Sequence, residues 1–239
     1  MSFIDPTTIE IALQNLSQDE RFLEAVRNIK VGKFKRDQTN RDYEDRLIYT
    51  RALRPFVYNQ PVLDCIFSDP ELKLRFFRTF GYQGSVNFTI YPKCWLRDLP
   101  LLDIGENVYL ADGILLGTNQ VTPDQQWICT GTISIGDNCI FDQGCSIGYN
   151  SQIGADSIVG FEVAIGLKNR IGKNVRIGGR SNIAHGCTIG NDVVIPDCCR
   201  IGSFSIIEAG VELDEYTDVP AFSRVTKEGI FSRRRRMVA

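Results

Sequence analysis

The sequence of 239 residues contains a single histidine, His185. That scarcity argues against a zinc centre of several imidazoles, because zinc takes three or four Cys, His or carboxylate ligands. None of the eight cysteines forms a Cys-x-x-Cys pair, so no zinc ribbon or dithiol redox motif is readable. No eighteen-residue apolar run occurs, and no transmembrane helix is expected. The opening residues, MSFIDPTTIE, lack the basic-then-apolar order of a signal peptide, which points to a cytoplasmic protein. A net charge of −2 gives no bulk attraction to nucleic acid or an acidic membrane. No glycine-rich phosphate loop follows a strand pattern in residues 1–100, which argues against a nucleotidyltransferase domain.

A period of six is plentiful. From Ile135 every sixth residue is large and apolar: Phe141, Ile147, Ile153, Val159, Ile165, Ile171, Ile177, Ile183, Ile189, Ile195, Ile201, Ile207, Leu213, Val219 and Val225. If roughly one residue in three suits such a slot, chance gives this run on the order of once in 10^7. The fifth residue of each hexad is small, as in Cys139, Cys145, Ser151, Ser157, Val163, Ser181, Cys187 and Ser205. The one exception is Asn169. Six fits neither the helical period of 3.6 nor the strand period of 2. It fits short strands joined by tight turns, three sides to a coil, with glycine expected where a turn strains φ. Four of the eight cysteines, Cys139, Cys145, Cys187 and Cys199, then serve as compact hydrophobes in the small inward slots. Stacked at about 4.8 Å per coil, the five coils over 135–225 rise roughly 24 Å.

A shorter run, Ile104, Leu110 and Leu116, precedes the main one, but the step from 116 to 135 is nineteen. A register shift therefore lies within 118–134, read as an extruded loop with Trp127 near its end. Such a loop either contacts an acceptor or caps a subunit interface. Residues 1–83 lack the period and read as a small helical domain. Asp5-Pro6 marks a helix start, Ser17 and Glu20 a capping box, and Asp69-Pro70 a later start with Phe76, Phe77 and Phe80 on its apolar stripe. The expected organisation is a helical segment over 1–83, a β-helix over 84–228 and a basic tail over 229–239 that contains Arg233 to Arg236.

His185 lies in Ile183-Ala184-His185-Gly186-Cys187-Thr188-Ile189-Gly190, two places after an inward isoleucine and so on an outward corner. An imidazole titrates between about pH 5 and 8 and can take a proton from an attacking hydroxyl or amine. This string and the repeat resemble the hexapeptide-repeat acyltransferases, nearest to the lipid A acyltransferases and the nucleotide-sugar and sialic-acid acetyltransferases. The resemblance implies an all-β solenoid, a left-handed parallel β-helix, with the small α-helical domain in front. It also implies acyl transfer, most simply of acetyl, from coenzyme A or an acyl carrier protein to a hydroxyl or amine. His185 would be the general base, the backbone N–H of Ser203 one coil on would serve the oxyanion, and the active unit would be a homotrimer with sites between subunits. No acidic residue flanks His185, so its partner comes from elsewhere: Asn182, Asp142, Glu162 or a neighbouring subunit.

Lys168, Arg170, Lys173, Arg176 and Arg180 precede His185 in sequence, and Arg224 lies in a segment similar to the family's exit strand. They are candidate contacts for donor phosphates, or else a solvated basic face. The exit strand departs from the family after Val225, where Thr226-Lys227-Glu228-Gly229 replaces Gly-x-Pro-Ala. A γ-type carbonic anhydrase shares the fold but needs three histidines on its zinc. The competing reading is a non-catalytic β-helix used for assembly.

Overall fold

The computed structural model describes residues 5–232. The N-terminal part folds as five helices: α1 (Pro6–Gln18), α2 (Glu20–Arg27), α3 (Arg41–Val57), α4 (Gln60–Ser68) and α5 (Pro70–Thr79). Asp5 caps α1 by accepting the Thr7 N–H, and Asp69 caps α5 by accepting from Glu71 and Leu72. The expected capping box does not form. Ser17 remains inside α1, donating to the Leu13 carbonyl, and Asp19 caps α2 instead. A carboxylate immediately ahead of the helix outcompetes a hydroxyl two residues further back. Phe22, Tyr49, Phe56, Phe76, Phe77 and Phe80 are buried, and their edge-to-face contacts form the core of this part.

The rest is the expected solenoid: three flat walls of parallel strands with a tight corner between each pair. The wall that leads to His185 contains Leu115–Gly117, Ser146–Gly148, Ala164–Ile165, Asn182–Ile183, Arg200–Ile201 and Asp218–Val219. Ile147 pairs with Ile165, Ile165 with Ile183 and Ile183 with Ile201, each eighteen residues on. The large aliphatic residues of the hexads are buried in one continuous core, and each contributes about 1.5–3 kcal/mol. At the C-terminal end Gly229–Ser232 folds back antiparallel on Ser223–Thr226. Arg233 to Arg236 lie outside the described residues.

Glycine plays a different part from the one expected. The left-handed backbone falls on the third residue after each aliphatic, at Asn138, Asp156, Lys168, Arg180 and Asp192 among others, and most of these are not glycine. Glycine instead follows the aliphatic directly, where coils approach closely. A Cβ on Gly136 would stand 2.5 Å from the Ala155 nitrogen, and one on Gly166 would stand 2.5 Å from Nδ1 of His185.

The small slots also do more than fill space. Ser157 donates to the Gly172 carbonyl and accepts the Val175 N–H. Ser181 does the same with Pro196 and Cys199. The thiols of Cys139, Cys145 and Cys187 reach the carbonyls of Gly154, Gly160 and Gly202. A small donor here ties one coil to the next while satisfying buried backbone.

The register shift is an insertion of thirteen residues. Ile104 pairs with Ile135, Leu110 with Phe141 and Leu116 with Ile147, each thirty-one apart instead of eighteen. The extra residues form a hairpin of Asn119–Val121 and Trp127–Thr130, and the second of these strands pairs antiparallel with Gly32–Lys35. The Lys33 ammonium lies 4.8 Å from the Trp127 ring centre. At the hairpin's base, Asp98 is buried and grips Arg46 through both carboxylate oxygens, at 2.6 and 2.7 Å. It also accepts from the Thr118 hydroxyl at 2.7 Å and the Asn119 amide at 2.9 Å.

Candidate active site

His185 stands exposed in the corner turn that follows Asn182–Ile183. The same corner column contains Leu167 one coil below and Ser203 one coil above. The turns are joined by Gly186 N–H to the Leu167 carbonyl at 2.8 Å and by Phe204 N–H to the His185 carbonyl at 2.9 Å. The inserted hairpin leaves the prism from this column too, since Gly117, just before it, pairs with Gly148.

The imidazole is engaged. Its Nδ1 accepts the Leu167 backbone N–H at 2.9 Å, so the neutral ring carries its proton on Nε2. This is the arrangement used at other corners. Asn191 accepts the Lys173 N–H at 2.9 Å, and Asp197 accepts the Gly179 N–H at 2.7 Å. Each caps the amide eighteen residues back. At Ser203, by contrast, the backbone N–H makes no hydrogen bond among the described residues. Next to it, Phe204 stacks on Phe222 with ring centres 5.2 Å apart.

The other sequence candidates are not gathered here. Asn182 lies on the flat outer face between Ala164 and Arg200 and makes no hydrogen bond to His185 among the described residues. Asp142 and Glu162 sit at the opposite end of the wall, lining a cavity of about 550 Å³ with Asp112 and Phe161. The basic residues are spread around the prism, because twelve residues traverse two of its three sides. Lys168 is on the His185 corner, and Arg170 is on the next wall beside Thr188. Arg176 is on the third wall beside Val194. Arg180 pairs with Glu162 at 3.2 Å, and Arg224 pairs with Glu208 at 2.5 Å. Of this set only Lys168 shares the His185 corner, and Arg170 opens the wall that follows it. Cys187, two residues on, is buried and its thiol is pushed up by burial, so it offers no thiolate.

Sequence reasoning flagged Asn169 only as a misfit of size. The structure places it, fully buried, beneath the His185 turn. Its Oδ1 accepts the Cys187 N–H at 2.7 Å and its Nδ2 donates to the Gly166 carbonyl at 2.9 Å. Among the described residues no three His, Cys, Asp or Glu side chains gather as a metal site would require. No helix among them is long and apolar enough to cross a membrane.

Residues 170–203, including His185 and Ser203, match the family model for the bacterial transferase hexapeptide (six repeats). This protein is built on the hexapeptide-repeat β-helix. Comparison with curated proteins gives no match. Among solved structures it resembles a UDP-N-acetylglucosamine acyltransferase of Francisella novicida, at 15% identity over 62% of this chain and 68% of that one, with a TM-score of 0.29. It also resembles a variant of AntD, an N-acyltransferase from Bacillus cereus in complex with dTDP and coenzyme A. There the identity is 15% over 71% and 92% of the two chains, with a TM-score of 0.28. A variant of perosamine N-acetyltransferase from Caulobacter crescentus, in complex with coenzyme A and GDP-perosamine, is 20% identical over 64% and 57%, with a TM-score of 0.21. Likenesses this distant bring no residue roles to the hexapeptide-repeat chain described here.

Proposed function

We propose that the chain is an acyltransferase that moves a short acyl group, most simply acetyl, from a coenzyme A thioester to a hydroxyl or amine at the His185 corner. The observation that supports it is the pairing of the sole histidine, exposed on a corner of regular hexapeptide coils, with the Ser203 N–H one coil above, which makes no hydrogen bond among the described residues. In the reaction the ring turns away from Leu167 and Nδ1 takes the acceptor's proton as the acceptor attacks the thioester carbonyl. The oxyanion accepts from the Ser203 N–H, and collapse breaks the C–S bond and expels the thiolate, which takes the acceptor's proton from His185. Lys168 and Arg170 suit the donor's phosphates, whereas Arg176, Arg180 and Arg224 are too dispersed or already paired. The active unit in this reading is a homotrimer, with a neighbouring subunit supplying the polar partner for Nε2. An acyl carrier protein is the alternative donor.

One observation favours a second reading, a non-catalytic assembly module. His185 uses Nδ1 to cap a backbone amide just as Asn191 and Asp197 use oxygen. A panel of acetyl-, malonyl- and longer acyl-coenzyme A thioesters, assayed for ligand-induced thermal shift and for thiol release with mixed acceptors, separates the two. Shift and release with at least one thioester, lost in His185→Ala, are expected. Release that persists in that variant would remove His185 from the chemistry. No shift with any thioester would favour a carrier-protein donor or the assembly role.

A further inference from the structure

The inward column under the His185 corner reads Ser151, Asn169, Cys187, Ser205 and Ser223. Its serines link coils in a set way. Ser151 donates to the carbonyl of Gly166, fifteen residues on, and accepts the N–H of Asn169, eighteen on. Ser205 repeats this with Pro220 and Ser223. Asn169 keeps only half of the pattern. It accepts the Cys187 N–H eighteen residues on, but its amide donates backwards to Gly166, three residues before it. The longer side chain therefore closes its own turn, 166–169, while holding the turn above. These are the turns that carry Leu167 and His185, and the Leu167 N–H to Nδ1 bond joins the same two turns from outside at 2.9 Å.

We propose that Asn169 is a positioning residue: by tying the Gly166 carbonyl to the Cys187 N–H it fixes the Leu167 N–H under His185 and so selects the ring tautomer. A serine or cysteine at 169 would follow the column's rule, donating forward to the Ala184 carbonyl and leaving the 166–169 turn without its internal tie. The coils stay joined and Ser151 still donates to the Gly166 carbonyl, but the peptide whose N–H caps Nδ1 loses one of its two side-chain ties.

The single histidine makes the test direct, since the nitrogen spectrum of the imidazole comes from one residue. With the ring neutral, the wild type should show an unprotonated Nδ1 and a protonated Nε2, with slow exchange of the Leu167 amide. Asn169→Ser and Asn169→Cys should fold, and should shift the tautomer ratio by roughly fivefold, the effect of losing one ordinary hydrogen bond. A purely structural Asn169 would leave the ratio unmoved in a folded variant, and that result overturns the proposal. Should neither variant fold, the wild-type spectrum can still overturn it, through an Nδ1–H ring or a Leu167 amide that exchanges freely. The consequence for catalysis rests on the acyl-transfer reading, but the spectrum does not. A tautomer shift in a protein that transfers no acyl group leaves the role of Asn169 standing and removes only the base.

Discussion

Nδ1 of His185 and the backbone N–H of Leu167, eighteen residues apart in sequence, are hydrogen-bonded at 2.9 Å across adjacent coils. The bond gives the one histidine two duties that substitution can separate, capping a backbone amide and presenting an imidazole at the surface.

His185→Asn should keep the cap, because Asn191 already performs it for Lys173. We expect a Tm within a few degrees of wild type, while His185→Ala loses about 1 kcal/mol for the abandoned amide. Thioester-dependent acyl transfer should fall by about 10²–10⁴ in both. An Asn variant that transfers acyl groups at the wild-type rate would reduce His185 to a cap.

The join between helices and solenoid depends on the buried Arg46–Asp98 pair. Asp98→Ala strands a buried guanidinium and should cost about 3–5 kcal/mol. A double change of Arg46 and Asp98 to apolar residues should cost less than Asp98→Ala alone. Urea unfolding midpoints at constant slope measure both, and equal costs would place the loss in Thr118 and Asn119 instead.

Lys73 on α5 is buried and donates to the Val86 carbonyl at 2.8 Å and also to that of Phe88, with no carboxylate partner among the described residues. Burial lowers its pKa from 10.5 to about 8. Between those two values the unfolded chain binds the proton and the folded chain does not, so this residue's contribution to stability rises with pH across that window. The buried Tyr82, pushed up to about 12, and Cys145, pushed up to about 11, act in the opposite direction and are common to a Lys73→Met variant. The difference in unfolding free energy between wild type and variant should therefore move in the wild type's favour from pH 8 to 10.5. A flat difference would mean that the ammonium is not desolvated.

Cys94, Cys139, Cys145, Cys187 and Cys199 are buried, while Cys65, Cys129 and Cys198 are partly exposed. A thiol reagent should label those three in the native protein and all eight after unfolding. Rapid native labelling of Cys187 would show that the corner under His185 opens.

The sequence by itself determined the solenoid, the inward residue of each hexad, the helical front segment and the outward placement of His185. The solenoid and the outward place of His185 follow from the period of six, which stacks each coil on the next eighteen residues on, and the helical segment follows from its caps and apolar stripe. Tertiary structure alone decided what depends on which coil stacks on which. The thirteen-residue insertion set the pairing of Ile104 with Ile135, and its hairpin found a strand at Gly32–Lys35 that no local pattern marks. The apparent basic cluster was dispersed because neighbours in sequence face different sides of a prism. The partner of His185 proved to be a main-chain amide, which every residue but proline carries and no sequence can single out. Asn169 was visible as an oversized residue in a small slot, but only the stacked turns show which carbonyl and which amide its side chain reaches.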